Sequence, residues 1–392
     1  MIPGGAPPAL AGARVVLVHD WLTGMRGGEK VLEALCRLFP DAPLYTLLHL
    51  PGSVSPLIED RPIHTSFVQN MPLARRRYRH YLPLFPRAVE SLKLPPCDLV
   101  LSTSHCVAKA AMPPGGALHV SYLHTPMRYI WDMYPAYFGP GRGGAARYLM
   151  LLLRRPLQRW DVATCARVDH FLANSRHVAR RIRRNYGREA VVIPPPVEVG
   201  RFAPAARVED YYLVVSALVP YKRVDLAVEA CTLSGRRLLV VGSGPEEERL
   251  KAMAGPTVDF LGWVSDEHLA GLYARAKAFL FPGEEDFGIT PLESMAAGRP
   301  VIAYARGGAL ETVVGLDDAQ GRAPTGLFFG QQEAGSLLAA MERLEAAAGR
   351  FDPQALAGHA AAFGTERFLQ RMAAYLARVL EDRGVAPEPA RC

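Results

Sequence analysis

Residues 13–39 read ARVVLVHDWLTGMRGGEKVLEALCRLF. A strand with an apolar centre is predicted at positions 14–19, RVVLVH, and the glycines Gly24, Gly27 and Gly28 follow it. Apolar residues then recur at positions 31, 32, 35 and 38, the spacing of one helix face. The order predicts a β-strand, a glycine-bearing loop and an amphipathic helix. The stretch therefore indicates the first unit of an α/β domain.

Further apolar runs continue this plan through the first half of the chain. They lie at 98–102, 119–124 and 169–173, with helical patterns between them. Short strands that alternate with helices are typical of a parallel sheet with crossover helices. The segment IPPPV at 193–197 is a proline-stiffened break and predicts a linker between two domains.

After this linker the same plan starts again. Strands are predicted at 211–218, 237–244, 258–263 and 278–283, and helices lie between them. We predict an α/β protein of two Rossmann-like doubly wound domains, residues 1–196 and 197–364, facing each other across a cleft. Residues 365–392 are predicted to form a helix that packs back toward the N-terminal domain, followed by a tail. Ligand loops are expected at the carboxyl ends of the strands.

The composition is typical of an ordinary globular protein. The 392 residues are 49% hydrophobic and 21% charged. The six cysteines form no C-x-x-C pair, which favours a reducing compartment over a disulfide framework or a zinc site. The opening MIPGGAPPALAGA is interpreted as a disordered lead-in, not a signal peptide. No apolar run reaches about 18 residues, so we expect no membrane-spanning helix and a cytoplasmic location.

Charge is divided unevenly between the two halves. Residues 1–196 hold 25 Lys and Arg against 12 Asp and Glu, whereas residues 197–392 hold 20 against 26. An arginine-rich solvated surface is one interpretation of the basic half. An anionic membrane surface, a phosphorylated acceptor and nucleic acid are the others, with nucleic acid last because no reader motif is present.

The segment EEDFGITPLE at 284–293 carries two carboxylates in a glycine- and proline-bearing setting. We expect Glu285 in a loop and a helix from Thr290, with Thr290 as N-cap and Glu293 completing a capping box. Glu293 is then either a structural cap or a ligand. In the second interpretation the helix N-terminus favours a phosphate, Gly288 permits its close approach, and the carboxylates accept hydrogen bonds from sugar diols.

Five segments resemble one known family in the same order along the chain. They are HDWLTGMRGGEKVLEAL, YLHTPMRYIWDMYPAY, ANSRHVARRI, LVPYKRVDLAVEA and EEDFGITPLESMAAGRPVIAY. The last resembles the E-x(7)-E signature of retaining glycosyltransferases of family four, which have the two-Rossmann-domain GT-B architecture. The set is similar to the branch that contains bacterial O-antigen and polysaccharide mannosyltransferases.

The resemblance implies roles for particular residues. Glu285 would contact hydroxyls of the transferred sugar, and His124 would touch that sugar near the reacting carbon. Lys222 would neutralise the donor diphosphate, and Glu293 would hold the ribose hydroxyls. The remaining donor-binding positions that it implies are Gly27, Gly28, Arg223, Gly262, Trp263, Val264, Phe287, Gly288 and Ile289.

One position departs from the family pattern. The family commonly has Gly-Arg-Leu where this chain has Ser216-Ala217-Leu218, so the arginine that shares the diphosphate with the lysine is absent. Arg223 and Arg128 are the two candidates for its replacement. Sequence alone assigns neither.

The function implied is retaining transfer of a hexose, mannose from GDP-mannose, to a saccharide or lipid-linked glycan acceptor in polysaccharide or O-antigen biosynthesis. No metal or other cofactor is expected, since no Asp-x-Asp and no His/carboxylate ligand set is found. The basic half would lie on the inner face of the cytoplasmic membrane, with no nucleic-acid partner. A UDP-sugar transferase, an epimerase or phosphorylase, and a non-catalytic nucleotide-sugar-binding protein are the alternatives.

Overall fold

The structure, a computed structural model, describes Leu10, Phe138 and residues 12–134, 144–318 and 320–384. The lead-in at 1–13 lies largely outside the described residues, as do the tail from 385 and positions 135–137 of the second resemblance motif. The chain divides into two compact units. Unit 1 is Met1–Pro196 with Glu366–Cys392, and unit 2 is Val197–Thr365.

Unit 1 is built on a seven-stranded sheet in which every pairing is parallel. The spatial order is β3-β2-β1-β4-β5-β6-β7. Its central strands are buried over their whole length, as in a sheet covered on both faces. The strands are β1 (Val15–His19), β2 (Leu44–Thr46), β3 (Ile63–Thr65), β4 (Leu99–Ser104), β5 (Leu118–Leu123), β6 (His170–Ala173) and β7 (Ala190–Val192).

Helices cover both faces of this sheet. On one face, residues such as Leu17 and Leu101 pack against the first and last helices of the unit, and on the other Val16 and Val18 pack against the remaining segments. This alternation follows from the two-residue period of a strand. The helices are α1 (Gly27–Leu38), α2 (Pro56–Glu59), α3 (Ala74–Arg77), α4 (Phe85–Glu90), α5 (Gly144–Ala163), α6 (Arg176–Tyr186) and, from the end of the chain, α14 (Thr365–Asp382).

Unit 2 repeats the plan with six parallel strands in the order β10-β9-β8-β11-β12-β13. The strands are β8 (Tyr212–Val215), β9 (Leu238–Val241), β10 (Val258–Gly262), β11 (Ala278–Phe281), β12 (Val301–Tyr304) and β13 (Gly326–Phe329). The helices are α7 (Val224–Ser234), α8 (Glu247–Met253), α9 (Asp266–Arg275), α10 (Ile289–Ala296), α11 (Ala309–Thr312), α12 (Ala334–Ala346) and α13 (Pro353–Ala361).

These two sheets confirm the predicted class of two doubly wound Rossmann-like domains. Several boundaries differ from those predicted. The strand predicted at 211–218 ends at Val215 and the one at 278–283 ends at Phe281, because the chain leaves each sheet into a loop. Gly27 and Gly28 form the first turn of α1, so the predicted glycine loop ends earlier, at Arg26. Among the described residues, no helix is long and apolar enough to cross a bilayer.

One buried carboxylate fixes the connection after β4. Asp20, which follows β1, is fully buried and accepts four backbone hydrogen bonds. The donors are the amides of His105, Cys106, Val107 and Ala108, at 2.6, 2.9, 2.7 and 2.7 Å. A charged acceptor that satisfies four amides in one turn holds the loop in place.

We expect Asp20→Ala to lower the free energy of unfolding of unit 1 by about 3 kcal/mol, because buried donors lose their acceptor. Asp20→Asn should lose less, since its amide oxygen still accepts. Urea unfolding measures both. Asp41→Ala, at an exposed position, is the matched control, and equal unfolding of Asp20→Ala and this control would contradict the anchoring role.

Candidate functional site

The carboxyl ends of three neighbouring strands bring together most of the predicted residues of unit 2. In the sheet, β8, β11 and β12 are adjacent. Lys222 lies in the short 3-10 turn Pro220–Lys222 after β8, and Glu285 lies in the loop after β11, as predicted. The loop after β12 contains Gly307 and Gly308.

Lys222 and Glu285 form an ion pair between Nζ and Oε1. Their side chains are only 18% and 20% exposed, so both charges are largely withdrawn from water. The two loops touch through their backbones as well, because a Cβ on Gly283 would lie 3.0 Å from the Lys222 Cα. The structure therefore places side by side the two residues to which the resemblance assigned the diphosphate and the transferred sugar.

A glycine pair that sequence reasoning missed supports the Glu285 loop. The Gly308 amide donates to the Glu285 carbonyl at 2.7 Å. A Cβ on Gly307 would lie 2.4 Å from that carbonyl oxygen, and a Cβ on Gly308 would lie 2.3 Å from the Phe287 Cα. No side chain fits at either position, so the loop rests directly on backbone. The Gly-Gly pair directly after the apolar run VIAY was the available signal.

The predicted capping box is wrong. Helix α10 begins at Ile289, its N-cap is Gly288 with φ +89°, and no side chain caps it. A Cβ on Gly288 would lie 3.0 Å from the Phe281 ring, so a glycine in left-handed backbone turns the chain into the helix earlier than expected. Glu293 is consequently in the second turn, out of reach of the N-cap amide.

Glu293 has a different partner, which sequence reasoning also missed. The hydroxyl of the fully buried Tyr273, on α9, donates to Glu293 Oε2 at 3.0 Å. Burial raises the pKa of the Glu293 carboxyl, against the opposing effects of the Tyr273 hydrogen bond and the nearby Arg201 charge. Arg201 itself pairs with Glu198 and Asp266, each at 3.0 Å. The Tyr273 hydroxyl thus orients the Glu293 carboxylate.

We expect Glu293→Gln to fold, and to gain stability relative to the unmodified protein as pH rises. The folded-state pKa of Glu293 is raised above 4.5, so ionisation at higher pH favours the unfolded state. Below pH 4.5 the pH-dependent part of this gain in stability should vanish, because Glu293 is then protonated in both the folded and the unfolded state. Urea unfolding from pH 4 to pH 8 tests it, with the exposed Glu342→Gln as control. A stability difference that does not grow with pH would contradict the raised pKa.

Unit 1 presents three histidines at the carboxyl ends of three neighbouring strands. His19 ends β1, His105 follows β4, and His124 follows β5, which ends at Leu123. The His105 ring centroid lies 6.1 Å from that of His19 and 6.5 Å from that of His124. A Cβ on Gly28 would lie 3.6 Å from His124 Nε2 and 3.7 Å from His19 Cε1. Two predicted residues, Gly28 and His124, are therefore adjacent.

His19 and His105 were not predicted, although the dipeptide His-Asp at a strand end was a signal. His19 is fully buried, with Nδ1 2.6 Å from Thr103 Oγ1 and Nε2 3.9 Å from Glu29 Oε1. Burial acts to raise the pKa of Glu29, but the nearby imidazoles of His19 and His105 outweigh it and lower that pKa. Glu29 also accepts the Arg26 amide at 3.1 Å. This network holds the first turn of α1 against the sheet.

Burial lowers the pKa of His105, with Asp20 opposing that effect. The His105 Nδ1 lies 3.1 Å from Asp20 Oδ2. The charge of Arg128, one candidate for the missing family arginine, also acts on His105. Arg128 follows His124 by four positions, in the loop after β5.

The other candidate, Arg223, is engaged within unit 2. Its guanidinium binds Asp225 at 3.2–3.3 Å and the Gln332 carbonyl at 3.4 Å. Ala217, where the family has arginine, is exposed. Farther along the edge, Gly262 ends β10 with φ +62°, Trp263 is 84% exposed, and Val264 is partly buried. Among the described residues, no group of three His, Cys, Asp or Glu is placed to hold a metal ion.

Two family profiles match the chain. The profile of glycosyltransferase family 4 matches residues 25–201, and that of glycosyl transferases group 1 matches residues 201–350. The chain belongs to glycosyltransferase family 4. The glycosyltransferase family predicted from the motifs is thereby confirmed.

Curated relatives share part of the chain. A GDP-mannose-dependent alpha-(1-6)-phosphatidylinositol dimannoside mannosyltransferase of Mycobacterium tuberculosis is 30% identical over 190 residues, 43% of this chain and 50% of that protein. A D-inositol 3-phosphate glycosyltransferase of Geodermatophilus obscurus is 32% identical over 263 residues, 57% and 56% of the two chains. The chain thus spans about half the length of the curated relatives it matches.

Solved structures share the fold across nearly the whole chain. Sucrose-phosphate synthase of Thermosynechococcus elongatus matches with a TM-score of 0.68 at 18% identity, covering 94% of this chain and all of that one. HepE of Anabaena, in complex with UDP, matches with 0.66 at 17% identity, covering 93% and 100%. At such identities the likeness establishes the two-domain GT-B fold.

Proposed function

We propose that this protein is a retaining glycosyltransferase that moves mannose from GDP-mannose to a saccharide or lipid-linked glycan acceptor in polysaccharide or O-antigen biosynthesis. The observation that carries the proposal is the Lys222–Glu285 ion pair at the strand edge where α10 begins. Family membership and relatives with mannosyltransferase names support it.

Unit 2 binds the nucleotide sugar in this proposal. Lys222 and the amides at the start of α10 receive the diphosphate, because a cation and a helix N-terminus both favour an anion. Glu293, oriented by Tyr273, accepts hydrogen bonds from the ribose diol. Glu285, with the amides of Phe287, Gly288 and Ile289, binds hydroxyls of the transferred sugar. The segment Gly262–Val264 lies beside the base.

The transfer step is proposed to occur on one face of the sugar. The bond from the anomeric carbon to the diphosphate oxygen breaks, and the acceptor oxygen bonds to that carbon from the same side. The acceptor proton goes to the leaving diphosphate oxygen. A double displacement would need a free carboxylate beneath the sugar, whereas Glu285 is assigned to sugar hydroxyls and pairs with Lys222. Catalysis then rests on positioning and charge stabilisation.

Unit 1 is proposed to bind the acceptor and to complete the site. Gly28 lies against His124, so the amides of the Gly27–Gly28 turn and the imidazole can act together on the donor. The buried His19 sets the position of this turn through Glu29. His124 touches the sugar near the reacting carbon in this proposal, and His19 is a positioning residue.

A thermal-shift panel with GDP, UDP, ADP and NAD tests the donor assignment. We expect selective stabilisation by GDP, about 2.7 kcal/mol at a hundredfold excess over its Kd, because a ligand of the native state shifts the unfolding equilibrium. Lys222→Ala and Glu293→Ala should lose the shift. Arg207→Ala, exposed in the same unit, is the control and should retain it.

The other outcomes separate the alternatives. A preference for UDP would agree with the proposed glycosyltransferase activity but contradict mannose from GDP-mannose as the transferred sugar. Donor turnover without acceptor indicates an epimerase, and binding without product under any acceptor indicates a non-catalytic protein. If no nucleotide stabilises the protein, the donor site itself is wrong.

The ion pair also predicts that one substitution strengthens GDP binding and abolishes sugar transfer. Glu285→Gln removes the negative charge that competes for Lys222, so we expect GDP to bind about two- to five-fold more tightly. Transfer of the sugar should be lost, because Glu285 no longer binds its hydroxyls as a carboxylate. Isothermal titration with GDP and a product assay measure the two effects. Weaker GDP binding would show that Glu285 does not restrain Lys222.

The basic unit 1 is proposed to lie at the inner face of the cytoplasmic membrane, where a lipid-linked acceptor is presented. Its excess of Lys and Arg suits an anionic lipid surface. This part of the proposal needs a surface that contacts lipid.

A further inference from the structure

Helix α5 of unit 1 exposes an unusual amount of apolar side chain. Four large apolar residues within five positions face solvent: Tyr148, Leu149, Leu151 and Leu152, at 70%, 50%, 52% and 76% exposure. Single exposed apolar residues are ordinary, but a contiguous group indicates a binding surface. Val162, near the end of the helix, is 39% exposed.

These residues do not pack into the core of unit 1. Other positions of the helix pack there. Met150 and Leu157 are buried in the cluster that includes Val16, Val18 and Val100 of the sheet. The helix therefore has a second apolar face, directed outward, in addition to the one that holds it in place. Tyr148, Leu152 and Arg159 share that outward face by helical spacing.

The solvent-exposed charges on this helix are all positive. Arg155 and Arg159 are exposed on the following two turns, on the side of Leu152. Asp161 is the only carboxylate of the helix, and it is fully buried, with Lys109, Trp131 and Tyr186 bound to it. The outward face is thus apolar at its start and cationic toward its end.

Segment 72–79, on the same side of the sheet, also combines an exposed apolar residue with exposed arginines. Leu73 is 63% exposed, and the arginines at 75–77 and 79 are exposed around it. Ala74 and Tyr78 of this segment pack into the cluster that also holds Met150 and Leu157. No acidic residue occurs between positions 61 and 89.

We infer that the outward face of α5, with the segment 72–79, docks this protein on an anionic lipid bilayer. Leucine and tyrosine side chains enter the acyl boundary, and the arginines contact lipid phosphates. The inference rests on the proposed function for its purpose, since it would hold unit 1 where a lipid-linked acceptor is presented.

Charge favours a bilayer over the other occupants. A two-fold contact between copies would pair this face with itself, and its arginines would find no carboxylate of α5 there, since Asp161 is buried. A nucleic acid would satisfy the arginines but leave the leucines in water. An anionic membrane satisfies both groups, because it offers an apolar interior beneath a negative surface.

Flotation with lipid vesicles tests the surface, on the full chain without nucleotide. The probes are vesicles of phosphatidylcholine alone and of equal parts phosphatidylcholine and phosphatidylglycerol. We expect binding to the anionic vesicles that Leu149→Ser/Leu152→Ser weakens about tenfold or more. Arg155→Glu/Arg159→Glu should weaken it by a similar factor, about tenfold, and lose the preference for anionic lipid.

Matched controls lie in unit 2. Leu233→Ser, at a 72% exposed leucine, and Arg207→Glu should bind vesicles as the unmodified chain does. All four variants should keep the melting temperature, since the changed side chains are exposed. A failure to float, or equal flotation of Leu149→Ser/Leu152→Ser, overturns the inference. So does a solution dimer, measured by light scattering, that this double substitution splits into monomers.

The donor proposal and this inference can fail separately. Nucleotide stabilisation depends on unit 2 and should persist in both α5 variants. If the unmodified chain fails to bind anionic vesicles but keeps its GDP response, only the docking surface is overturned. If the chain binds vesicles but no nucleotide stabilises it, only the proposed function is overturned.

Discussion

Parallel pairing of every strand is the constraint from which the rest of this structure follows. A parallel sheet gathers all strand carboxyl ends at one edge and returns the chain across its faces, usually through a helix. In unit 1 this brings His19, His105 and His124 to one edge. In unit 2 it brings together the loops of Lys222 and Glu285, which lie more than sixty positions apart in sequence. The chemistry of each unit is therefore assembled by topology.

The two edges are held by different physical means. In unit 1 buried charges set the loops: Asp20 accepts four amides of the connection after β4, and Glu29 joins His19 to the start of α1. In unit 2 the close approach of backbones sets them, with Gly307 and Gly308 supporting the Glu285 loop. Hydrogen-bonded charges and glycine contacts both leave little freedom, which suits a site that acts by positioning.

Part of this site could be read from sequence, because local patterns encode it. Alternating strands and helices predicted both domains, and five ordered motifs predicted the family. The same reading placed Glu285 in a loop, and two residues that it named, Gly28 and His124, are adjacent in the structure. It was wrong about the capping box of Glu293, whose sequence pattern Thr290 and Pro291 supply without forming the cap. The true N-cap, Gly288, depends on contact with Phe281, and the true partner of Glu293 is Tyr273 on another helix.

The sequence by itself determined the fold class, the family and the residues with chemical capacity, since hydrophobic period and motif order are local properties of a chain. Only the tertiary structure decided which residues meet: the ion pair of Lys222 with Glu285, the His19–Glu29 network, and the outward leucines of α5. Helical spacing shows that α5 has apolar residues but not which of them the sheet covers. That distinction arises from packing, because a side chain of α5 is buried only where another part of the fold lies against it.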